Sequence, residues 1–222
     1  MEKASSTFNN NTTMIKNIIF DLGGVVFNWD PKRVAEEFKH PDLDAQTIFE
    51  SDFFTEHWSE FDRGIYAEEE LLSILSLETG FPLQACEDFL DYIKSNLHDI
   101  SETINRIKTL HQKGYHLLCL SNLSHEFYDF LKSREVFKYF HEKVISAQEE
   151  MIKPDPALFQ LTLDRYKLIP QETLFIDDLP ANTAAAQSLG IQTLTFDTPE
   201  NKAKAYKVLD LLKKLEQNST ML

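Results

Sequence analysis

Four short segments of the sequence, far apart along the chain, carry side chains able to bind or attack an anionic group. Together they contain three carboxylates, one ammonium, one hydroxyl and a pair of glycines. Each segment follows an apolar run or precedes a predicted helix, so each lies where a strand or a helix can hold it in place. The segments are Asp21-Leu22-Gly23-Gly24, Ser121-Asn122, Lys153-Pro154 and Asp177-Asp178.

The three carboxylates limit the chemistry that these segments can perform together. If they lie within a few ångströms of one another, they cannot all stay ionised without a cation among them, because like charges raise each other's pKa. Oxygen ligands favour a hard ion, and Mg²⁺ is the usual one where a phosphate also binds. A carboxylate such as Asp21 on a glycine-flanked turn can act as a nucleophile, while Lys153 and Ser121 can hold a tetrahedral anion. This combination predicts Mg²⁺-assisted phosphoryl transfer.

Apolar runs in the sequence predict the elements that position these segments. Four runs and a weaker fifth indicate β-strands, and the two middle runs alternate little, which is typical of strands buried on both faces of a parallel sheet. Helical patterns separate the strands from residue 101 onward, so we expect an α/β core with a doubly wound, mostly parallel sheet. Ligands of such sheets bind beyond the C-terminal strand ends, where the segments lie. The predicted strands cover residues 14–20, 116–120, 143–146, 173–176 and 191–196.

Residues 31–100 break this alternation and contain helical patterns without a convincing strand. Two of these patterns, around Leu71 and Leu75 and around Phe89 and Ile93, predict apolar stripes that face each other. We therefore expect an all-helical cap at residues 31–100, inserted into an α/β core of residues 14–30 and 101–222. Residues 1–13 are expected to form a flexible polar N-terminus.

The composition excludes several classes of partner. Acidic residues outnumber basic ones 36 to 22 among 222 residues, and the formal net charge is −14. Because nucleic acids and anionic membranes are bound by clustered Lys and Arg, we expect neither as a partner. Two cysteines, Cys86 and Cys119, are too few for a disulfide framework, and no apolar run is long enough to span a bilayer. The N-terminus also lacks the apolar part of a secretory signal, so the sequence predicts a soluble cytoplasmic protein.

In their order, the four segments resemble the motifs of the haloacid dehalogenase-like hydrolases that carry a helical cap after the first strand. They begin 100, 32 and 24 residues apart, and the resemblance covers about residues 14–200. It implies that Asp21 is the nucleophile and becomes a phosphoaspartate. It further implies that Ser121 and the backbone N–H of Asn122 bind the transferring phosphoryl group, and that Lys153 neutralises the nucleophile and the phosphate.

The same resemblance implies a set of ligands for Mg²⁺. Asp21 and the backbone carbonyl of Gly23 would bind the ion. Asp178 would contact it directly or through water, with Asp177 as a second acid beside it. The implied reaction is Mg²⁺-dependent hydrolysis of a small phosphorylated metabolite.

Gly23 departs from the family pattern. Phosphatases of this family usually have Asp two residues after the nucleophile, where it acts as general acid for the leaving group and general base for water. General acid–base help is worth about 10²–10⁴-fold, on the order of 3–5 kcal/mol. The resemblance extends to a subgroup of sugar-phosphate phosphatases with DLGN or DLGG here, which favours a sugar phosphate as substrate. We expect slow turnover and a preference for leaving groups that need little protonation.

The segment at residues 57–64 is expected to be a loop of the cap that faces the active site, as in related enzymes. Trp58 is a candidate for stacking on a sugar, and Arg63 or His57 is a candidate for a second charge of the substrate. The alternative is that Trp58 belongs to the core and that Arg63 is an exposed ion-pair partner. The sequence leaves both interpretations open.

Two other functions also stay open. Without an acid at residue 23, the chain could be a catalytically weak member of the family that binds a phosphorylated ligand or a protein. It could also be a haloacid dehalogenase, since these enzymes lack the second Asp and need no metal. Dehalogenases do not use an acidic pair such as Asp177-Asp178, so the pair favours a phosphatase.

Overall fold

The computed structural model describes residues 14–215. The N-terminal segment that the sequence predicts to be flexible, residues 1–13, lies outside the described residues, as do residues 216–222. Five parallel strands form one sheet in the order β3-β2-β1-β4-β5, which confirms the predicted α/β class and all five strands. The strands are β1 (Asn17–Phe20), β2 (His116–Ser121), β3 (Glu142–Ile145), β4 (Thr173–Asp177) and β5 (Gln192–Thr195).

Helices cover both faces of this sheet. Alternate residues of the central strand point to opposite sides, so that Phe20 packs in one apolar cluster and Ile19 in another. The first cluster includes residues of the helices at 101–112 and 199–215, and the second includes residues of the helices at 156–166 and 180–188. Burial on both faces explains why the strand sequences are apolar with little alternation. The helices of the core are α6 (Ser101–Gln112), α7 (His125–Leu131), α8 (Ser146–Glu149), α9 (Pro156–Tyr166), α10 (Pro180–Ser188) and α11 (Pro199–Leu215).

Five helices lie between β1 and α6 and form the helical cap. Leu71 and Leu75 of the fourth helix and Phe89 and Ile93 of the fifth are buried, as their apolar spacing predicts. These side chains belong to the same apolar cluster as one face of the sheet, so the cap and the core share a continuous interior. The five helices are α1 (Pro31–Glu37), α2 (Ala45–Glu50), α3 (His57–Asp62), α4 (Glu68–Thr79) and α5 (Leu83–Ser95).

The helix α3 replaces the loop that the sequence predicts at residues 57–64, so that prediction was wrong for most of the segment. Six residues are too few to show a helical period, and a helix of this length is not stable by itself. Tertiary packing selects it: the rings of Trp58 and Phe61 lie 5.6 Å and 6.0 Å from the ring of Phe127, each in a T-shaped arrangement. The helix therefore forms part of the contact between the cap and the core.

The two chain segments that connect the cap to the core are hydrogen-bonded to each other. Asn28 N–H donates to the carbonyl of His98 at 2.7 Å, and Ile100 N–H donates to the carbonyl of Val26 at 2.8 Å. Phe27 and Asp99 form an antiparallel bridge between these bonds. The segment that enters the cap and the segment that returns from it are thus paired with each other where they join the core, a few residues after Asp21.

The composition also led to expectations about the two cysteines and about membrane-spanning helices. Cys86 and Cys119 are both buried free thiols. Of the helices within residues 14–215, none combines the length and the apolarity that a transmembrane span requires.

Candidate active site

The register of the sheet brings Asp21 next to the acidic pair. Phe20, the last residue of β1, pairs with Ile176 of β4 on one side and with Cys119 of β2 on the other. Asp21 N–H then continues the ladder by donating to the carbonyl of Ile176 at 2.9 Å. Because β1 is central, the ends of its two neighbours, Asp177 and Ser121, lie on either side of Asp21.

Lys153 lies between two of these carboxylates. Its Nζ is 2.8 Å from Asp21 Oδ1 and 2.6 Å from Asp177 Oδ2. The ammonium group is almost fully buried, and so are both carboxylates. Burial alone would lower the pKa of Lys153, but the charges of Asp21 and Asp177 raise it above its usual value. Lys153 therefore stays charged, in position to neutralise Asp21.

The backbone of Lys153 is held by Asn122. Asn122 Nδ2 donates to the carbonyl of Lys153 at 2.9 Å, and Lys153 N–H donates to Asn122 Oδ1 at 2.8 Å. The side chain of Asn122 thus fixes the lysine segment to the end of β2. Next to it, Ser121 is buried and is one of the residues that line the cleft described below.

Asp177 and Asp178 have different surroundings. Asp177 accepts hydrogen bonds from Leu179 N–H at 2.8 Å, from Asn182 Nδ2 at 3.0 and 3.1 Å, and from Lys153 Nζ at 2.6 Å. Its two oxygens are therefore already engaged, and it mainly orients Lys153. Asp178 is less buried and lines the cleft with Asp21. Asn182, in the first turn of α10, thus supports the acidic pair through its bonds to Asp177.

The donor set fits a divalent cation. Carboxylate oxygens of Asp21, Asp177 and Asp178 lie within 4.8 Å of one another, and because those of Asp177 are engaged, Asp21 and Asp178 are the acids that could hold an ion directly. Oδ1 of Asp21 is buried at ion-pair distance from Lys153 but has no donor in hydrogen-bond geometry, so it has capacity for a further ligand. Three carboxylates and one ammonium leave an excess of negative charge that a hard cation would balance.

The excess of negative charge also appears in the pKa values of the carboxyl groups, which are raised. Burial raises the pKa of Asp21 to about 7, with the charges of Asp177 and Asp178 adding to the effect and Lys153 opposing it. Burial and the charge of Asp177 raise the pKa of Asp178 to about 6. Without a metal, Asp21 therefore holds a proton part of the time at neutral pH and Asp178 does so at slightly lower pH, and a cation would displace these protons.

Gly24 makes room for Asp178. Its φ is +68°, in the region that favours glycine, and a Cβ at this position would overlap the carboxylate of Asp178. Gly23 is different, because a Cβ there would meet Trp29 at an ordinary contact distance of 3.6 Å. The second glycine is thus required by the site, whereas the first is not required by its surroundings.

A cleft of about 300 Å³ opens above these groups, between the cap and the ends of the strands. The polar residues of the site form its floor, and aromatic rings form one wall. The rings of Trp29 and Trp58 are stacked with centroids 5.8 Å apart, and Phe54 lies 5.0 Å from Trp58. The lining residues are Asp21, Gly23, Trp29, Pro31, Phe49, Phe54, Trp58, Asp62, Ser121, Asn122, Lys153, Asp178, Leu179 and Asn182.

The structure brings most of the candidate residues together, with two exceptions, Arg63 and His57. Trp58 packs on Phe61 and Phe127, as the core interpretation expects, and it also lines the cleft, so its stacking on a sugar stays a prediction. Arg63 is not among the lining residues, and its Nη1 lies 3.5 Å from Glu60 Oε1. His57 likewise pairs with Glu78 at 2.9 Å.

Sequence reasoning missed part of the cleft. Trp29, Phe49 and Phe54 were not singled out, because isolated aromatic residues in helical or irregular segments are typical of core positions. Asp62 was missed although it lies between the candidates Trp58 and Arg63. The one available signal was the absence of an acid at residue 23, which calls for a carboxyl group elsewhere.

Comparison with known proteins identifies the class to which this fold and site belong. The sequence model of the haloacid dehalogenase-like hydrolases matches residues 15–190. The chain therefore belongs to the haloacid dehalogenase-like hydrolase family.

Curated relatives cover most of this chain. D-Ribitol-5-phosphate phosphatase from Bacteroides thetaiotaomicron is 29% identical over 198 residues, with 86% of this chain and 94% of that protein covered. Sesquiterpene phosphatase astK from Aspergillus oryzae is 27% identical, with 81% and 88% covered. Acyl-CoA dehydrogenase family member 10 from Mus musculus is 31% identical over 86% of this chain, but this chain spans only 19% of that protein.

Solved structures show the same fold. A haloacid dehalogenase family enzyme from Bacteroides thetaiotaomicron, in complex with magnesium and inorganic phosphate, superposes with a TM-score of 0.70 at 27% identity, covering 82% of this chain and 93% of that one. L-2-Haloacid dehalogenase from Xanthobacter autotrophicus superposes with a TM-score of 0.61 at 19% identity, covering 82% of this chain and 77% of that one. The second likeness concerns the fold alone.

Proposed function

We propose that this protein is a Mg²⁺-dependent phosphatase that hydrolyses a small phosphorylated metabolite through an aspartyl-phosphate on Asp21. The observation that carries this proposal is the buried contact of 2.8 Å between Asp21 and Lys153, with Asp178 beside them. A nucleophilic carboxylate, a fixed cation and an additional acid for a metal are the groups that phosphoryl transfer requires.

The acidic pair favours this function over that of a dehalogenase. A dehalogenase needs a nucleophilic carboxylate and a cation, which Asp21 and Lys153 supply, but no metal. Asp178 would then be a half-buried acid near two others, at a cost in electrostatic repulsion and with no role. A phosphatase uses this acid, because the metal that it binds lowers the repulsion.

In the first step, an oxygen of Asp21 attacks phosphorus, and the bond between phosphorus and the ester oxygen breaks. Lys153 balances the charge of Asp21 and of the phosphoryl oxygens, while the Ser121 hydroxyl donates to one of these oxygens. The leaving oxygen takes up a proton and departs as an alcohol. Mg²⁺, held by Asp21, Asp178 and the carbonyl of Gly23, would supply further positive charge to the phosphoryl group.

In the second step, water attacks the phosphorus atom of the aspartyl-phosphate. The bond between phosphorus and the Asp21 oxygen breaks and inorganic phosphate leaves, while the proton that water gives up balances the one that the leaving oxygen took up in the first step. Asp21 returns to its carboxylate form. The aromatic wall and the cap above the cleft limit the access of bulk water during both steps.

The lining of the cleft supports a substrate with one phosphate and an uncharged remainder. Lys153 is the one cationic side chain among the described residues that line it. Trp29 and Trp58 line it with a stacked pair of rings, against which the apolar side of a sugar or a polyol chain can pack. We therefore favour a sugar or polyol phosphate, the substrate class that the name of the Bacteroides relative carries.

Phosphate release from a panel of sugar and polyol phosphates, with one prenyl phosphate added, tests this function. We expect hydrolysis of sugar or polyol phosphates with Mg²⁺, and none with EDTA or with the Asp21→Asn variant. Preferred hydrolysis of the prenyl phosphate would assign the aromatic wall to an apolar substrate instead. If wild type and Asp21→Asn are equally inert on every compound, the chain is a binding protein and not a phosphatase.

A further inference from the structure

The proposed reaction needs a proton donor that the first motif does not provide. Departure of an alkoxide without protonation is slow, and a positioned acid usually accelerates such a step by about 10²–10⁴-fold. Family phosphatases place this acid two residues after the nucleophile, where this chain has Gly23. Another group of the cleft must therefore serve if alkyl phosphates are to be hydrolysed.

The cleft has few titratable groups to choose from. Four of its described lining residues carry one: Asp21, Asp62, Lys153 and Asp178. Asp21 is the nucleophile, Asp178 would bind the metal, and Lys153 is held as a cation between two carboxylates. Asp62 alone has no other part in the reaction.

The fold carries Asp62 into the site from the cap. It is the last residue of α3, and it lines both the main cleft and an adjoining cavity of about 70 Å³. Gly23 and Trp58 line both spaces with it. Asp62 therefore borders the same part of the cleft as Gly23, the residue that stands where the acid is missing.

Contacts with the core fix the backbone on either side of this carboxyl group. The hydroxyl of Ser146 donates to the main-chain carbonyl of Asp62. Two residues later, the φ of Gly64 is +81°, and a Cβ there would lie 2.6 Å from the carbonyl oxygen of Ala147. The end of α3 thus rests directly on the core, which fixes the backbone of Asp62 against α8.

The surroundings of the carboxyl group suit a proton carrier. Burial raises the pKa of Asp62 to about 7, with the charge of Asp21 adding to the effect. Lys153, the backbone N–H of Ser124 and the side chain of Trp58 act in the opposite direction and favour the ionised form. Both forms of Asp62 are therefore accessible near neutral pH, as a group that donates and then regains a proton requires.

We propose that Asp62 is the general acid and base of this enzyme, in the place of the carboxyl group that Gly23 lacks. This inference rests on the proposed phosphatase function. In the first step, the Asp62 carboxyl group gives its proton to the leaving ester oxygen as the bond to phosphorus breaks. In the second step, the Asp62 carboxylate takes a proton from the attacking water and returns to its acid form.

The Asp62→Asn variant tests this role with two substrates that differ in their need for a proton. Ribitol 5-phosphate has an alkoxide leaving group, whereas 4-nitrophenyl phosphate releases a stable phenolate. We expect kcat/KM to fall at least 100-fold for the first and less than tenfold for the second, because kcat/KM reports steps up to phosphorylation of Asp21. Hydrolysis of the phosphoenzyme also slows, so a burst of 4-nitrophenolate equal to the enzyme concentration is expected.

Glu60→Gln is the matched control, since it removes another carboxyl group from α3 that pairs with Arg63 outside the cleft. It should leave both substrates and the absence of a burst unchanged. Asp62→Glu keeps a proton donor and should hold the ratio of the two kcat/KM values within tenfold of wild type. If Asp62→Asn does not fold, Asp62→Glu tests the proposal in its place. A ratio of the two kcat/KM values outside that tenfold range in Asp62→Glu would overturn the proposal.

A structural role of Asp62 in docking the cap predicts other results. Equal losses on both substrates without a burst, or no loss at all, would overturn the proposal while wild-type activity still depends on Asp21. If wild type and Asp21→Asn release no phosphate from either substrate, the phosphatase function itself fails, and the role of Asp62 with it.

Discussion

Asn122 and Lys153 hold each other through two hydrogen bonds, one in each direction, of 2.9 and 2.8 Å. The asparagine comes from the end of the second strand, and the lysine comes from the segment before α9. This pair joins two motifs through residues that are 31 positions apart in the sequence. The pair fixes the backbone of Lys153 and thereby the position of its ammonium group next to Asp21. We therefore expect catalysis to depend on this pair.

Replacing Asn122 by Ala should lower kcat more than it lowers stability. The two lost hydrogen bonds are worth about 1 kcal/mol each, while a displacement of Lys153 by about 1 Å can cost about 10²-fold in rate. We expect kcat to fall about 10–100-fold and the free energy of unfolding to fall by about 1–3 kcal/mol. Steady-state kinetics and urea unfolding measure both. Asn105→Ala, at an exposed position of α6, should change neither, and a similar loss there would contradict this account.

Gly24→Ala should weaken the binding of Mg²⁺. The new Cβ would overlap the carboxylate of Asp178, and the positive φ adds strain of about 1–2 kcal/mol. Gly80→Ala is a matched control, because φ is +73° there and no atom lies within 4 Å of the added Cβ. We expect both variants to lose stability and Gly24→Ala alone to lose the rise in Tm on adding Mg²⁺. An undiminished rise in Gly24→Ala would show that Asp178 does not hold the metal.

Stabilisation by Mg²⁺ should decrease as the pH falls. The raised pKa values of about 7 for Asp21 and about 6 for Asp178 mean that the folded, metal-free protein binds these protons more tightly than the unfolded chain does. These groups therefore stabilise the metal-free fold at low pH, and this contribution is lost as the pH rises through 6 and 7. Mg²⁺ competes with the same protons.

We therefore expect the difference in Tm between Mg²⁺ and EDTA samples to be large at pH 8 and small at pH 5.5. At 100 times the Kd, a ligand adds about 2.7 kcal/mol. Asp178→Asn should show little difference at either pH. A difference that stays constant from pH 8 to 5.5 in wild type would mean that the metal is not bound by these carboxylates.

Replacing Trp29 by Leu should weaken substrate binding more than it slows the reaction. Trp29 stacks on Trp58 in the wall of the cleft, and aromatic contacts of this kind contribute about 0.5–1.5 kcal/mol. We expect KM for a sugar or polyol phosphate to rise about 2–10-fold, with kcat nearly unchanged. Phe130→Leu, at an exposed ring outside the cleft lining, should leave KM as it is. A fall in kcat without a change in KM would argue that the wall positions catalytic groups instead.

Gly23→Asp should have different effects in two backgrounds. The surroundings of Gly23 accept a Cβ at 3.6 Å from Trp29, so the carboxyl group can be introduced. If Asp62 already donates the proton, the added acid should change alkyl-phosphate turnover little in wild type but raise it at least tenfold in Asp62→Asn. Parallel measurements of kcat/KM on ribitol 5-phosphate compare the two. Equal gains in both backgrounds would indicate that the position at residue 23 is simply vacant and that Asp62 does not substitute for it.

Much of the site could be predicted because parallel strands bring their C-terminal ends to one edge. Asp21, Ser121 and Asp177 follow apolar runs, and this local pattern is enough to place them together once the sheet is recognised. The helices around Leu71 and Phe89 followed in the same way from apolar spacing. The partition into a core and a cap at residues 30 and 100 stays a prediction.

The sequence by itself determined the α/β class and the motif residues of the floor of the cleft, because strand burial and motif order are properties of local sequence. It could not determine α3, since six residues form a helix there only when Trp58 and Phe61 pack on Phe127. For the same reason it could not separate Asp62, which lines the cleft, from Arg63, which pairs with Glu60. The directions in which neighbouring side chains point depend on the packing of the whole chain. The aromatic wall and the Asp62 carboxyl group therefore line the cleft only when the cap packs on the core.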